Sequence, residues 1–253
     1  MIKTRVISPS VTDPYLNQAI EELLLDLVSD RDFNLILRFW KVKPSVIIGR
    51  NQSIKAEVNI NACKKYQIPI IRRITGGGAV YLDLGCLNFS FYLNNKSQFF
   101  SKNVKRLNRF FLSIVINALN KNNLESYFKP PNSIFINGKK ISGNAQIFRK
   151  DSVLHHGTLL VNTDLKILKD VLKPKNNTNA GRYVPSLRAD TLNLSDIDNN
   201  LTIEKIIHDM IIQTEKKFHQ TFYSMSLTEE EINLAKKMMK ERYLNHNWQF
   251  RIP

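Results

Sequence analysis

The chain is 253 residues long and carries 37 Lys and Arg against 22 Asp and Glu, a formal charge of +15. Its 43% hydrophobic content excludes a disordered chain, and its two cysteines exclude a disulfide framework or a four-cysteine zinc site. No stretch of about 18 apolar residues offers a membrane span, and the N-terminus lacks the apolar core of a signal peptide, so the expectation is one cytoplasmic domain over 1–253.

Asp13-Pro14 reads as a cap followed by proline at the first helical position, and Leu16, Ala19, Ile20, Leu23, Leu24 and Leu27 recur behind it at helical spacing. Strands are predicted at 36–40 and 45–48, a short helix at 59–66, and a strand at 68–73 that runs into three consecutive glycines. Strands follow at 79–82 and 87–93, and Leu107, Phe111, Ile114, Val115 and Ala118 mark a second long helix. Residues 134–136, 141–148 and 153–161 read as successive strands, with Asn137-Gly138 as a tight turn. A short helix at 164–173 leads into a loop rich in Asn, Pro and Lys over 174–200. Ile203, Ile206, Ile207, Met210 and Ile211 then give a helix, and Thr228 with Glu231 forms a capping box that opens the last one. Strands crowd the middle and helices flank them, so the expected class is α+β with a mixed, mainly antiparallel sheet.

Three blocks carry the chemistry. Glycine is scarce, nine residues, and seven of them lie between Gly76 and Gly157. In Arg72 to Tyr81 (RRITGGGAVY) the consecutive glycines present backbone N–H groups with no side chain in the way, an anion-binding concavity, and Arg72 and Arg73 add charge able to grip phosphate or carboxylate. No Lys-Ser or Lys-Thr follows, so this is not a P-loop. In Gly138 to Gln146 (GKKISGNAQ), strand alternation puts Lys140, Ser142 and Asn144 on one face and Lys139, Ile141 and Gly143 on the other, so one lysine can point inward. In Leu154 to Leu160 (LHHGTLL) adjacent histidines face opposite ways, a poor geometry for one metal ion. Residues 129–188 hold 11 basic against 3 acidic residues, so a basic surface is expected near these blocks. Nucleic acid, a phosphate-bearing substrate and an acidic protein are its three candidate partners.

RRITGGGAVYLD, NSIFINGKKISGNAQ and LHHGTLLVNTDL, in this order, resemble the catalytic domain of the lipoate-protein ligase A family. DPYLNQAIEELL, WKVKPSVIIGRNQ and VPSLRADTLNL support the match, which spans residues 1 to 245 or so. The resemblance implies the fold of the biotin/lipoate protein ligases and a two-step reaction. Lipoate and ATP give lipoyl-AMP and pyrophosphate, and the lipoyl group then passes to a lysine of a lipoyl-domain protein, an E2 subunit or a glycine-cleavage H protein. On the family's pattern Arg73, Gly77, Gly78, Ala79, Val80 and Tyr81 carry the ATP phosphate and adenosine, and Lys140 is the catalytic cation at the carboxylate and the mixed anhydride. His156, Gly157 and Thr158, with Arg72 and Gly76, match segments that line the lipoate pocket. Mg²⁺ would come with the ATP phosphates, with Asn132 as a candidate contact.

Two positions depart from the pattern: Leu82 stands where the family often has histidine, and Ser133 where it often has an aspartate that could help hold Mg²⁺. Longer members continue into a small accessory domain. The expectation here is that this domain is absent and that a separate small subunit could supply it. The nearest rival, an octanoyl or lipoyl transferase of the same superfamily, uses an activated cysteine and no ATP. Such a cysteine would precede the lysine strand, and Tyr127 to Asn132 holds none, while Cys86 falls elsewhere. Neither a known motif nor interleaved aromatic and basic residues point to nucleic acid, and no membrane partner is expected.

Overall fold

The computed structural model describes residues 4–30, 34–173 and 185–252, so residues 174–184 of the predicted long loop lie outside the described residues. The chain begins with β1 (Thr4–Ile7), α1 (Pro14–Asp30), β2 (Leu35–Trp40) and β3 (Ser45–Ile48). Two short helices, α2 (Ile54–Glu57) and α3 (Ile60–Lys65), precede β4 (Ile70–Arg72), β5 (Val80–Leu82) and β6 (Cys86–Asn94). The long helix α4 (Val104–Asn120) is followed by the meander β7 (Tyr127–Lys129), β8 (Ser133–Ile136), β9 (Lys139–Arg149) and β10 (Ser152–Leu160). Then come α5 (Leu165–Val171), α6 (Ile203–Phe218), β11 (Tyr223–Ser224), α7 (Glu229–Met238) and α8 (His246–Gln249).

Eight strands form one sheet in the order β11-β1-β2-β6-β10-β9-β8-β7, and β4-β3-β5 form a second, smaller one. The pairs β11/β1, β1/β2 and β3/β4 are parallel and the remaining ladders antiparallel, as the predicted class requires. Period-two alternation distributes the large sheet between two cores. Leu35, Leu37 and Phe39 of β2 pack with Phe89 and Phe91 of β6 beneath α4 and α6, whereas Ile36, Trp40 and Tyr92 pack on the other face beneath α1. The small sheet has its own core of Val46, Ile48, Ala79 and Tyr81 against α2, α3 and α5.

Local signals place the helix ends. Asp13 Oδ1 accepts the Leu16 N–H at 2.7 Å, and both hydrogen bonds of the Thr228–Glu231 capping box form, at 2.8 and 3.1 Å. Asn137 and Gly138 both take positive φ, 49° and 74°, the conformation that the tight turn joining β8 to β9 demands. The alternation expected along β9 fails at one point. A bulge lets Ile134 pair with Ser142 and Phe135 with Lys140, so Ile141 is the extra residue and the side-chain faces switch across it.

The two adjacent histidines of β10 do face opposite ways. His155 lies between Phe91 and Phe111, with its ring 4.9 Å from that of Phe111 and neither nitrogen hydrogen-bonded. Burial pushes its imidazole down to about 3 from 6.5. The unfolded chain therefore takes up a proton below pH 6.5 that the folded chain refuses, and stability falls as pH drops from 6.5 toward 3. Replacing His155 by Leu is expected to remove about 2 kcal/mol of that loss near pH 5, read as a smaller gap between urea unfolding free energies measured at about pH 8 and about pH 5.

Candidate active site

Two adjoining cavities, of about 450 and 600 Å³, open where the small sheet meets the β9/β10 end of the large one. Trp40, Ile47, Val80, Leu82 and Ala145 make the first largely apolar, whereas Lys169, Lys173 and Arg188 line the second. Ala79, Val80, Lys140, Gly143, Thr158 and Leu187 line both. The division suits a substrate with an apolar chain and an anionic partner, joined at the shared wall.

The glycine loop is shaped from within. Gly77 has φ of 86°, and a Cβ on Gly49 of the facing turn would stand 2.1 Å from the Gly77 carbonyl oxygen, so backbone meets backbone here. Arg73 does not reach out as a free phosphate clamp. Its Nε donates to Thr75 Oγ1 at 2.8 Å, Nη1 to the Ile47 carbonyl at 3.2 Å, and Nη2 to the Gly76 and Gly78 carbonyls at 2.6 and 2.9 Å. Burial without a carboxylate partner pushes its guanidinium down to about 10. Arg73 thus braces the loop and places a positive charge beneath it. The Ala79 N–H is already taken, donating to Ser186 Oγ at 2.9 Å.

Lys140 sits at the shared wall, and the bulge explains how. An ideal Cβ on Gly143 would come 3.1 Å from Lys140 Nζ, so Lys140 lies over Gly143 rather than on the face of Ser142 and Asn144 that unbroken alternation predicts. A side chain there would push the lysine end aside by a few tenths of an ångström. Desolvation, with the Arg188 charge nearby, pushes the Lys140 ammonium down to about 8. It makes no ion pair among the described residues, so its charge is available to a ligand.

His156 anchors a buried network that extends behind the first cavity. Its Nδ1 is 2.9 Å from Glu21 Oε2 and its Nε2 2.8 Å from Thr75 Oγ1, the hydroxyl that also accepts from Arg73. Glu21 in turn accepts from Arg38 Nη1 at 3.0 Å, from Ser90 Oγ, and from the Tyr92 hydroxyl. Burial pushes the Glu21 carboxyl up, but the His156 hydrogen bond and the Arg38 charge outweigh it and hold it below the ordinary carboxylate range. With Glu21 ionised, the donor pattern places the proton of a neutral His156 on Nδ1 and leaves Nε2 to accept from Thr75. Glu21 was not singled out by the sequence. The available signal was Asn17 and Glu21, polar and one helical turn apart, inside the buried stripe of α1.

Other expected site residues separate. Gly77, Gly78, Ala79, Val80, His156, Gly157 and Thr158 line the first cavity and Tyr81 the second, but Arg72 and Gly76 line neither. Arg72 points to the opposite side of β4, where its guanidinium donates to the carbonyls of Gly49, Gln52, Gln249 and Ile252 at 2.7–3.2 Å. It ties the C-terminal turn to the small sheet, a consequence of the strand putting Arg72 and Arg73 on opposite faces. Arg72→Ala is expected to cost about 3 kcal/mol through the buried acceptors it strands. Both substrate KM values should stay within about twofold, which steady-state kinetics beside urea unfolding would check.

Gly157 is required by contact, since a Cβ there would lie 1.9 Å from Asn144 Oδ1 and 2.5 Å from the Phe89 ring. Asn132 edges the first cavity, and its amide nitrogen donates to the Asn144 carbonyl. At the two departures from pattern, Leu82 contributes apolar wall and Ser133 is buried opposite Gly143 in the β8/β9 ladder. Cys63 and Cys86 are both buried and line neither cavity, and burial pushes the Cys63 thiol up to about 11 and the Cys86 thiol higher still. Neither has the low pKa or the access of a thiolate nucleophile.

A mixed sheet flanked by helices, with a half-buried lysine that makes no ion pair among the described residues between an apolar and a cationic cavity, defines a catalytic domain for activating an apolar acid. The sequence matches the Lipoyl protein ligase A/B catalytic domain over residues 13–215, and the chain belongs to that family. It is 33% identical to lipoate-protein ligase LplJ of Bacillus subtilis over 245 residues, 95% of this chain and 71% of the relative. A crystal structure of lipoate-protein ligase A bound with ATP superposes with a TM-score of 0.85 at 28% identity, covering 98% of each chain. A bi-partite lipoate protein ligase from Thermoplasma acidophilum, solved as part of a lipoylation system with its E2 lipoyl domain, gives 0.85 at 29% identity, covering 98% of this chain and 96% of that one.

Proposed function

We propose that this chain is a lipoate-protein ligase, which joins lipoate to ATP and passes the lipoyl group to a lysine of an acceptor protein. The observation that carries the reading is the position of Lys140, a half-buried cation without an ion pair among the described residues, where the apolar and the cationic cavity meet. The apolar chain of lipoate would lie along Trp40, Ile47 and Leu82, and the nucleotide toward Lys169, Lys173 and Arg188. In the first step a lipoate carboxylate oxygen attacks the α-phosphorus, and the bond to the bridging oxygen breaks as pyrophosphate leaves. Lys140 draws the two anions together and offsets the charge that gathers on the phosphoryl oxygens. In the second step the neutral amine of the acceptor lysine attacks the acyl carbonyl. The C–O bond to AMP breaks, its electrons leave with AMP, and the amine gives up a proton.

Magnesium would travel with the ATP phosphates, and Asn132, whose amide nitrogen holds the Asn144 carbonyl, would have its side-chain oxygen to offer as a contact. Among the described residues there is no cluster of three His, Cys, Asp or Glu side chains that could hold an ion. The acceptors would be lipoyl domains of E2 subunits or the glycine-cleavage H protein, drawn to the excess of positive charge carried by the sequence 129–188. The bi-partite archaeal relative supports a small separate subunit as a further partner, and the cytoplasm is the proposed compartment.

With ATP, Mg²⁺ and lipoate, the chain is expected to release pyrophosphate and then to lipoylate a lipoyl domain, measured with and without an added accessory subunit. Transfer from an octanoyl carrier protein without ATP, abolished by Cys86→Ser, would instead establish the transferase.

A further inference from the structure

Residues 185–191 line the two cavities, and besides bonds from Gln52 Nε2 to Ser186 Oγ and from Arg188 Nε to the Lys173 carbonyl, both at 3.1 Å, the stretch 185–192 is held at three places. Glu57 at the end of α2 provides the first: its Oε1 accepts the Ser186 N–H at 3.0 Å, and its Oε2 accepts from Arg188 Nη2 at 3.0 Å. Ala79 of the glycine loop provides the second, its N–H donating to Ser186 Oγ at 2.9 Å and its carbonyl accepting from Arg188 Nη1 at 3.1 Å. Lys140 provides the third, its N–H donating to the Asp190 carbonyl at 2.7 Å and its carbonyl accepting from the Leu192 N–H at 3.1 Å. Leu187, held between the Ser186 and Arg188 anchors, is 64% exposed yet lines both cavities.

Glu57 itself is buried and lines neither cavity. It therefore stands behind the cavity walls, but it holds a segment that bridges the glycine loop and the lysine strand. It also pairs with Arg188, whose charge bears on Lys140.

We propose that Glu57 is a positioning residue for the nucleotide. It grips Ser186, which lines the first cavity, through a backbone N–H, and Arg188, which lines only the second, through the guanidinium, so loss of the Arg188 pair alone changes affinity for ATP more than affinity for lipoate. The proposal deepens the ligase reading and rests on it for the identity of the substrates. The chemistry of the latch explains why a carboxylate is needed. A glutamine could still accept from the Ser186 N–H through its oxygen, but its NH₂ would then face the Arg188 guanidinium, donor against donor.

The test is Glu57→Gln, compared with Ser186→Ala and with Glu57→Gln in an Arg188→Gln background. Glu57→Gln is expected to weaken binding of a non-hydrolysable ATP analogue by about tenfold or more, and to raise KM for ATP similarly while KM for lipoate stays within about twofold. In the Arg188→Gln background the same change should cost less than about threefold, because the pair is already broken. Ser186→Ala keeps the Glu57 contact to its backbone and should move ATP binding by less than about threefold. An unchanged affinity for the analogue overturns the proposal, and so do equal losses for ATP and lipoate accompanied by a lowered unfolding midpoint, the pattern of a structural role. Calorimetric binding of the analogue reads the latch without turnover. A wild-type chain that binds it normally but releases no pyrophosphate from lipoate and ATP therefore overturns the ligase reading and leaves the latch standing.

Discussion

Lys140→Ala is expected to slow adenylate formation by about 10²–10³-fold, a loss of ~3–4 kcal/mol of transition-state stabilisation. The size follows from the surroundings. The ammonium is desolvated and has no carboxylate to neutralise it, so the field it applies to a bound carboxylate and phosphate is little screened. Neither neighbouring arginine can replace it, because Arg73 is bonded to the carbonyls of Ile47, Gly76 and Gly78 and Arg188 is held by Glu57 and Ala79. Single-turnover pyrophosphate release is the measurement, and a near-normal rate would remove Lys140 from its assigned place. The depressed pKa adds a pH signature. The cationic form exists below about 8 in the free enzyme, so kcat/KM for ATP should fall as pH rises through about 8, and bound polyphosphate should move that limb upward in kcat. In Lys140→Ala the alkaline limb should vanish along with most of the rate.

Glu21→Ala is expected to destabilise the fold by about 3–5 kcal/mol, because it leaves Arg38 charged and buried without its partner. The same change strips an acceptor from His156, Ser90 and the Tyr92 hydroxyl, so the cost exceeds that of any one hydrogen bond. Tyr92→Phe, which removes a single donor from the same carboxylate, should cost only about 1 kcal/mol. Urea unfolding of the two variants separates them. The pH dependence has a definite sign. Glu21 titrates below its ordinary value of 4.5 in the fold, so its contribution is complete above that pH and is lost as pH falls through the folded value. Glu21→Ala should therefore lose less stability on acidification than the parent chain. Function should follow the network outward: with His156 and Thr75 no longer fixed, KM for lipoate is expected to rise more than KM for ATP.

Much of this site was legible before any coordinates. Gly76 to Gly78 in a glycine-poor chain, Lys140 after an Asn-Gly turn, and His156 in a strand could each be marked because their chemistry is unusual for their local setting. The sheet class was legible too, from the apolar alternation of 87–93 and from the closely spaced strand segments at 134–136, 141–148 and 153–161. Thr4–Ile7, Tyr127–Lys129 and Tyr223–Ser224 were not predicted, being two to four residues long and defined by the neighbour they pair with rather than by any pattern of their own. The helix Ile54–Glu57 was missed for the same reason, and with it the carboxylate that grips Ser186 and Arg188.

Two neighbouring arginines show where local reasoning stops. Arg72 and Arg73 are equivalent by composition and by distance from the glycines, yet one secures the C-terminal turn and the other braces the loop, because a strand sends them to opposite faces and only the packed fold says which face holds the cavity. Lys140 shows the converse. Its importance was readable from its motif, but its direction was not, because the bulge that turns it over Gly143 depends on how β8 and β9 pair. The sequence by itself determined the fold class, the three chemical blocks and the family, since each rests on residue type, spacing and order along the chain. Only the tertiary structure decided that Glu21 completes the His156 network and that Glu57 latches the cavity wall, 135 residues from His156 in one case and 131 from Arg188 in the other. A buried carboxylate declares its role through the partners that desolvation forces on it, and those partners become neighbours only when the chain has folded.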